Sequence, residues 1–174
     1  RWGTVVTISG SALRGGASEV TNVTLVGVAA EIVSENSTQV VVKAGKGTET
    51  GGTGDVVLTA SSGAVVTASD SFEYVPEGSM FLNPTSGQGG TEVSISGSDL
   101  CGGGAEITNV TLAGFSATVN SGNCLLVQVV AGDLGANITG DVVLTADTGA
   151  IVLKTDGWTH IAEGNITSVT PSAG

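Results

Sequence analysis

Gly3-Thr4-Val5-Val6-Thr7-Ile8-Ser9-Gly10 is answered 87 residues later by Gly90-Thr91-Glu92-Val93-Ser94-Ile95-Ser96-Gly97. In both stretches apolar and small hydroxylated residues alternate, the period-two pattern of a half-buried β-strand. Val6 and Ile8 are matched by Val93 and Ile95, whereas Val5 is exchanged for Glu92. A position that accepts valine or glutamate faces water, so Val6 and Ile8 are expected to point to a core and position 5 to solvent.

Two further blocks repeat unchanged. Asn22-Val23-Thr24-Leu25 returns as Asn109-Val110-Thr111-Leu112, and Gly54-Asp55-Val56-Val57-Leu58-Thr59-Ala60 returns as Gly140-Asp141-Val142-Val143-Leu144-Thr145-Ala146. The offset falls from 87 to 86 between them, which puts a one-residue deletion in the loop between Gly45 and Gly54. A repeat of this length is a domain rather than a solenoid turn.

Strand signals continue along each copy. Asn22 and Thr24 alternate with Val23 and Leu25, placing the polar pair outside. Further strands are expected at Ala30–Val33, Gln39–Lys43, Asp55–Ala60 and Val65–Val75, with counterparts at Ala117–Asn120, Leu126–Val130, Asp141–Ala146 and Ile151–Ile161. Gly-rich turns at Ser11–Gly16, Gly45–Gly54 and Ser61–Gly63 separate them. No helical periodicity stands out. About seven short strands per repeat fit an all-β sandwich.

Composition narrows the function. Aromatics are 3% and charged residues 12%, with 28 glycines, so each domain is light with one modest core. The net charge of −11 argues against nucleic acid and anionic membrane surfaces as partners. No apolar run approaches the roughly 20 residues that span a bilayer, so no membrane insertion is expected in this segment.

The termini read as parts of one repeat. Thr170-Pro171-Ser172-Ala173-Gly174 placed before Arg1-Trp2-Gly3-Thr4 matches the internal junction Asn83-Pro84-Thr85-Ser86-Gly87-Gln88-Gly89-Gly90-Thr91. The expectation is a window from a longer tandem array, cut inside a repeat; the alternative is an arbitrary boundary. Domains are expected at residues 1–78 and 79–163, with residues 164–174 as the opening strand of a following repeat.

The order of motifs resembles a known family. A Pro-Ser-x-Gly turn, the Gly-Thr-x-Val-x-Ile-x-Gly strand and the Val-Thr-Leu-x-Gly strand come first. A Gln-Val-Val-Val strand, the Gly-Asp-Val-Val-Leu-Thr strand and the closing Ser71-Phe72-Glu73-Tyr74-Val75 strand follow. This is similar to the IPT/TIG (immunoglobulin-like, plexin/transcription-factor) domain, an early-set sandwich whose repeats open with Ile-x-x-Val-x-Pro, as in Ile166-Thr167-Ser168-Val169-Thr170-Pro171. The second copy departs at its closing strand, Gly157-Trp158-Thr159-His160-Ile161, and its opening strand Ser79–Pro84 is one residue short. The resemblance implies two tandem immunoglobulin-like β-sandwiches and modularity more than activity. Its members include receptor ectodomains, large cell-surface proteins and a DNA-binding subset, which the acidic balance excludes as a model.

Cys101 and Cys124 occur only in the second copy, opposite Arg14 and Ser37 of the first. A mutual disulfide is expected, two separate buried thiols being the alternative. Five of the eight asparagines head Asn-x-Thr sequons: Asn22, Asn36, Asn109, Asn137 and Asn165. N-glycans there would shield sheet faces and block edge pairing, against the plain alternative of a Thr-rich β-surface.

Nothing in the sequence reads as catalytic, and no cofactor is implied. His160 is the single histidine and stands where the first copy has Tyr74, a structural strand position. Gly45-Lys46-Gly47 lacks the ending of a phosphate loop, and no calcium-loop pattern occurs, leaving only a weak option of a cation site at Glu77 or Glu163.

The leading functional expectation is a non-enzymatic structural module of a long extracellular glycoprotein array: a stalk, fibre or surface filament. The alternative is an adhesin or receptor ectodomain binding a protein or carbohydrate; a third, an accessory domain of an enzyme, needs a catalytic domain elsewhere. Partners are then copies of the chain or adjacent repeats, head to tail, and other extracellular proteins. Trp2, Ile166, Val169 and Pro171 are the expected inter-repeat contacts, with Ile166 and Val169 packing into a third sandwich like the first copy. That sandwich is the next stretch of the polypeptide, as the length of the join suggests, or a neighbouring subunit. If residues 165–174 fold back on residues 1–78, or hang free in solvent, the array reading fails.

Overall fold

The computed structural model describes residues 1–47, 51–171 and 173, so part of the expected turn between Gly45 and Gly54 lies outside the described residues. The first domain holds β1 (Val5–Ser9), β2 (Val20–Leu25), β3 (Val28–Glu35), β4 (Gln39–Lys43), β5 (Gly52–Ala60) and β6 (Val65–Tyr74). The second holds β7 (Met80–Asn83), β8 (Ser86–Gly87), β9 (Glu92–Gly97), β10 (Ile107–Leu112), β11 (Phe115–Gly122), β12 (Leu126–Val130), β13 (Ile138–Ala146) and β14 (Ile151–His160). Among the described residues there is no helix.

Strand order is β1-β4-β3-β2-β5-β6 in the first domain and β7-β9-β12-β11-β10-β13-β14-β8 in the second. The second order contains the first, with one extra strand at each end. β3 serves both layers of its sandwich: Val28–Ala30 pair with β2, and Glu31–Glu35 with β4, with a bulge between Ile32 and Ser34. β11 divides in the same way between β10 and β12. A strand that exchanges one partner for another along its length folds one hydrogen-bonded ribbon into two packed faces, and the bulge that follows bends it further.

The repeated motifs have local reasons. Between β2 and β3 the chain turns at Val26 and Gly27, both at positive φ (51° and 76°), and Ala113 and Gly114 do the same (51° and 85°). These are the left-handed angles that a tight hairpin turn with the twist of its strands requires. The repeated aspartate holds the bulge in the longest hairpin. Asp55 Oδ1 accepts the N–H of Asp70, and Asp141 Oδ1 accepts that of Asp156; both donors have φ near 50°. Asp55 and Asp141 are therefore backbone caps rather than acid–base groups.

Each sandwich has its own core. Val23, Leu25, Val40 and Val42 are fully buried in the first, and Val93, Ile95, Val110, Val127, Leu144 and Trp158 in the second. The expected alternation holds at β2, where Asn22 is exposed and Val23 buried, and at Val5, which is 49% exposed.

One expectation needs correcting. Residues 162–171 form no strand in this chain, and Ile166 and Val169 are 81% and 67% exposed. The reason is a lack of edges within reach. β7 and β8 already fill both sheet edges of the second domain, and an isolated short segment does not hold a β conformation unpaired.

Candidate functional site: the domain junction and an open sheet edge

The two domains meet through residues at the head of the first. Arg1 is 5% exposed, its Nη1 donates to the Asp99 carbonyl (3.3 Å), and its Nη2 donates to the Pro76 carbonyl of the linker. The Asp99 carboxylate lies 3.9 Å from Nη2. Burial holds the guanidinium below its ordinary pKa, with Asp99 and then Glu77 opposing, yet arginine stays charged. Backbone bonds extend the joint: Ile151 N–H donates to the Trp2 carbonyl (2.9 Å) and Val5 N–H to the Thr148 carbonyl (3.0 Å). A Cβ on Gly3 would strike Gly149 and Ile151, and one on Gly102 would press on Arg1 and Ala150, so glycine is what lets the two surfaces close.

Of the residues expected at this junction, Trp2 is half-buried and contributes its carbonyl. The central residue is its neighbour Arg1, which sequence reasoning passed over. Its one signal was position: it heads the same join as Trp2, and an arginine, one of two in so acidic a chain, will find carbonyls and a carboxylate.

Equivalent corners of the two sandwiches are clipped by different chemistry. Cys101 and Cys124 are bonded, with Cα atoms 4.9 Å apart, and tie the Gly-rich turn to the start of β12. At the same corner of the first domain Arg14 grips Glu35: Nε to Oε2 and Nη2 to Oε1 are both 2.9 Å, and Oε2 also accepts Val20 N–H. The hydrogen bond from Arg14 draws the Glu35 pKa below its ordinary value.

The expected glycan positions are dispersed. Asn22 and Asn109 sit exposed at matching places on β2 and β10. Asn36 and Asn137 are exposed with their Oδ1 atoms in backbone bonds, to Thr38 and Gln39 N–H and to Ala162 N–H respectively. Asn165 lies on the exposed tail. No two share a site, which suits surface modification and not a ligand constellation.

His160 is 3% exposed, and its Nε2 has no hydrogen-bond partner, lying 4.0 Å from Asp133 Oδ1. It occupies the strand position of Tyr74, whose hydroxyl donates to the Gly45 carbonyl (3.0 Å). Among the described residues no three His, Cys, Asp or Glu side chains gather to hold a metal ion, at Glu77 and Glu163 or elsewhere, and no helix is long and apolar enough to cross a membrane.

The remaining distinctive feature is an incomplete edge. In the second domain β7 pairs with β9, and β8 runs parallel to β14. In the first, β1 and β6 end the sheet order, with no further strand paired to either among the described residues. Burial follows: Val93, Ile95, Val152 and Trp158 are at most 4% exposed, while their counterparts Val6, Ile8, Val66 and Phe72 are only half-buried.

Comparison with known proteins agrees with this architecture. The IPT/TIG domain family model matches residues 1–74. A structure of the full extracellular region of plexin A4, domains 1 to 10, aligns over 98% of the chain with 21% identity and a TM-score of 0.51. The chain covers 15% of that structure's length. A second plexin A4 structure, domains 1 to 8, aligns over 92% of the chain and 17% of its own length, with 20% identity and a TM-score of 0.48. A Bacteroides ovatus protein, the mixed-linkage glucan utilization locus SGBP-B in complex with mixed-linkage heptasaccharide, aligns over 92% of the chain and 41% of its own length, at 17% identity and a TM-score of 0.38. No curated protein matches the sequence. The IPT/TIG match covers the first domain, residues 1–74, and the second domain repeats the same motifs and strand order as a second immunoglobulin-like β-sandwich.

Proposed function

We propose that the chain is a non-enzymatic spacer module of an extracellular array, holding successive IPT/TIG domains at a set distance and angle in a stalk, fibre or surface filament. The observation that carries this reading is the buried Arg1 joint, where a side chain of the first domain bonds to the linker and to the second domain at once. Two backbone hydrogen bonds beside it oppose hinge motion. A receptor that samples orientations has no need of a buried ionic staple at its joint; a spacer does. The Cys101–Cys124 bond suits an oxidising compartment. The exposed tail is the outcome set against an array built through that segment, so the spacer reading rests on the Arg1 joint and not on the tail.

The test is inter-domain order. Residual dipolar couplings of the two domains should fit one alignment tensor in the native chain and two in Arg1→Ala. Two independent tensors in the native chain would sink the spacer reading.

A binding module is the second reading. Phe81 (65% exposed), Leu125 (65%) and Leu126 (41%) are apolar and outward, with Phe81 and Leu126 both placed opposite Ser96. An outward apolar row of this kind is a place for a protein or carbohydrate partner. Glycan-array binding that disappears in Phe81→Ala would favour this reading over the spacer.

A further inference from the structure

The two domains differ in a matched pair of residues at the end of their last strands. Tyr74 ends β6, and His160 ends β14. In the first domain the Tyr74 hydroxyl donates to the Gly45 carbonyl (3.0 Å), an uncharged bond that holds the loop after β4 against the last strand. Gly132 is the counterpart of Gly45. A Cβ on Gly45 would collide with the Ala29 carbonyl, and one on Gly132 with the equivalent Ser116 carbonyl, so the two loops start alike. They then part. Lys46 of the first copy is answered by Asp133, as Tyr74 is by His160. Phenol and lysine in one domain are imidazole and carboxylate in the other.

The exchange leaves a buried polar atom unsatisfied. His160 is buried, and its Nε2 has no hydrogen-bond partner. Such an orphan costs stability. The fold can satisfy this position, because Tyr74 does so. The nearest acidic oxygen is Asp133 Oδ1, 4.0 Å from Nε2, on a side chain 57% exposed in the loop between β12 and β13. Oδ1 also accepts the N–H of Gly135 (3.0 Å), which holds the carboxylate in place. A Cβ on Gly89 would stand 2.8 Å from that of Asp133, so the loop lies close over the turn after β8.

The charges around His160 are few. Its strand neighbours are Gly87 of β8 and Ile138 of β13, and the turn Gln88–Gly90 is uncharged. Glu92 at the head of β9 and Glu163 beyond β14 are exposed. Lys154, in the other half of β14, is engaged with the Met80 carbonyl. Asp133 is the charged group that faces the imidazole.

We propose that His160 and Asp133 form a proton-operated clip on the loop between β12 and β13. When the imidazole takes up a proton from solvent, Nε2–H donates to Asp133 Oδ1. The gap closes from 4.0 Å to the roughly 2.8 Å of a charge-assisted hydrogen bond, a movement of about 1 Å by an exposed side chain. The clip is engaged at mildly acidic pH, where imidazole is charged and carboxylates remain ionised, and is released as pH rises through neutrality. Asn137 of the same loop accepts the N–H of Ala162 (2.8 Å), so the clip also bears on the direction in which the chain leaves β14. The first domain holds the equivalent place with a bond that no proton switches. This goes beyond the spacer reading, which is tested separately at the Arg1 joint.

The experiment compares the native chain with His160→Tyr and Asp133→Asn at pH 7.5 and 5.5. His160→Tyr restores the residue that the first copy folds with. Asp133→Asn keeps an oxygen for the Gly135 N–H and removes the charge. Amide hydrogen exchange, expressed as protection factors, reads Leu134 and Gly135 in the loop, with the amides of β2 and β5 in the first domain as the internal reference. Acidification of the native chain should raise loop protection several-fold against that reference. Both variants should lose the rise. Loop protection in the native chain that is unchanged or falls on acidification overturns the proposal, and so does a rise of equal size in Asp133→Asn. None of these results touches the dipolar-coupling test of the Arg1 joint.

Discussion

Arg14 and Glu35 form a two-pronged ion pair, both contacts at 2.9 Å, at the corner of the first domain where the second domain has the Cys101–Cys124 bond. Both clips fasten the loop after the first core strand to the β3–β4 or β11–β12 turn. The ion pair depends on pH and the covalent clip on redox state, so the two copies should fail under different conditions.

Acid should weaken the first domain selectively. The Glu35 pKa is depressed by Arg14, so this contribution is complete above the ordinary carboxylate value of about 4.3 and is lost as pH falls through the lower, folded value. Glu35→Gln should lower the melting temperature of the first domain at neutral pH. The gap from the native chain should close as pH falls below the carboxylate range. A gap that is constant with pH would refute the assignment.

Reduction should act on the second domain. In the chain-entropy model a cross-link spanning 23 positions contributes about 3 kcal/mol, so a Cys101→Ser, Cys124→Ser double variant should lose stability of that order in the second transition only. Thiol labelling of the unreduced, denatured native chain should find no free cysteine; a stoichiometric free thiol would refute the pairing.

Truncation of the two equivalent aromatics should separate closed and open edges. Trp158 is 1% exposed, and Trp158→Ala should cost about 3–5 kcal/mol. Phe72→Ala removes a half-buried ring resting edge-on against Tyr74 at 5.1 Å and should cost clearly less in the isolated chain. Urea unfolding of each variant decides this, and equal losses would mean the first core is as closed as the second.

Asn22 and Asn109 should both carry N-glycans if the native source is a secretory eukaryotic cell, since each stands outward on an exposed strand position followed by Val-Thr. Intact-glycopeptide mass spectrometry of native material reads this directly, and two bare sites would remove the claim.

The alternation in Val5–Ser9 and its echo in Glu92–Gly97 were enough to establish β-structure, repeat and facing, because side-chain direction in a strand follows from period two alone. The same local logic placed the hairpins and paired Cys101 with Cys124 as an expectation. The role of Asp55 and Asp141 was not legible: only the folded hairpin brings each carboxylate to the N–H of a residue 15 positions on. Arg1 was missed because burial at a joint is a property of two surfaces meeting, which no local pattern encodes. The tail reads as a strand in sequence yet is none in the chain, since a β-strand exists only with an edge to pair with, and tertiary structure decides which edges are free. The sequence by itself thus determined the strands, their facing and the tandem of sandwiches, all products of local periodicity. The tertiary structure alone decided the Arg1 joint and the ionic counterpart of the disulfide, because each depends on which distant surfaces come into contact.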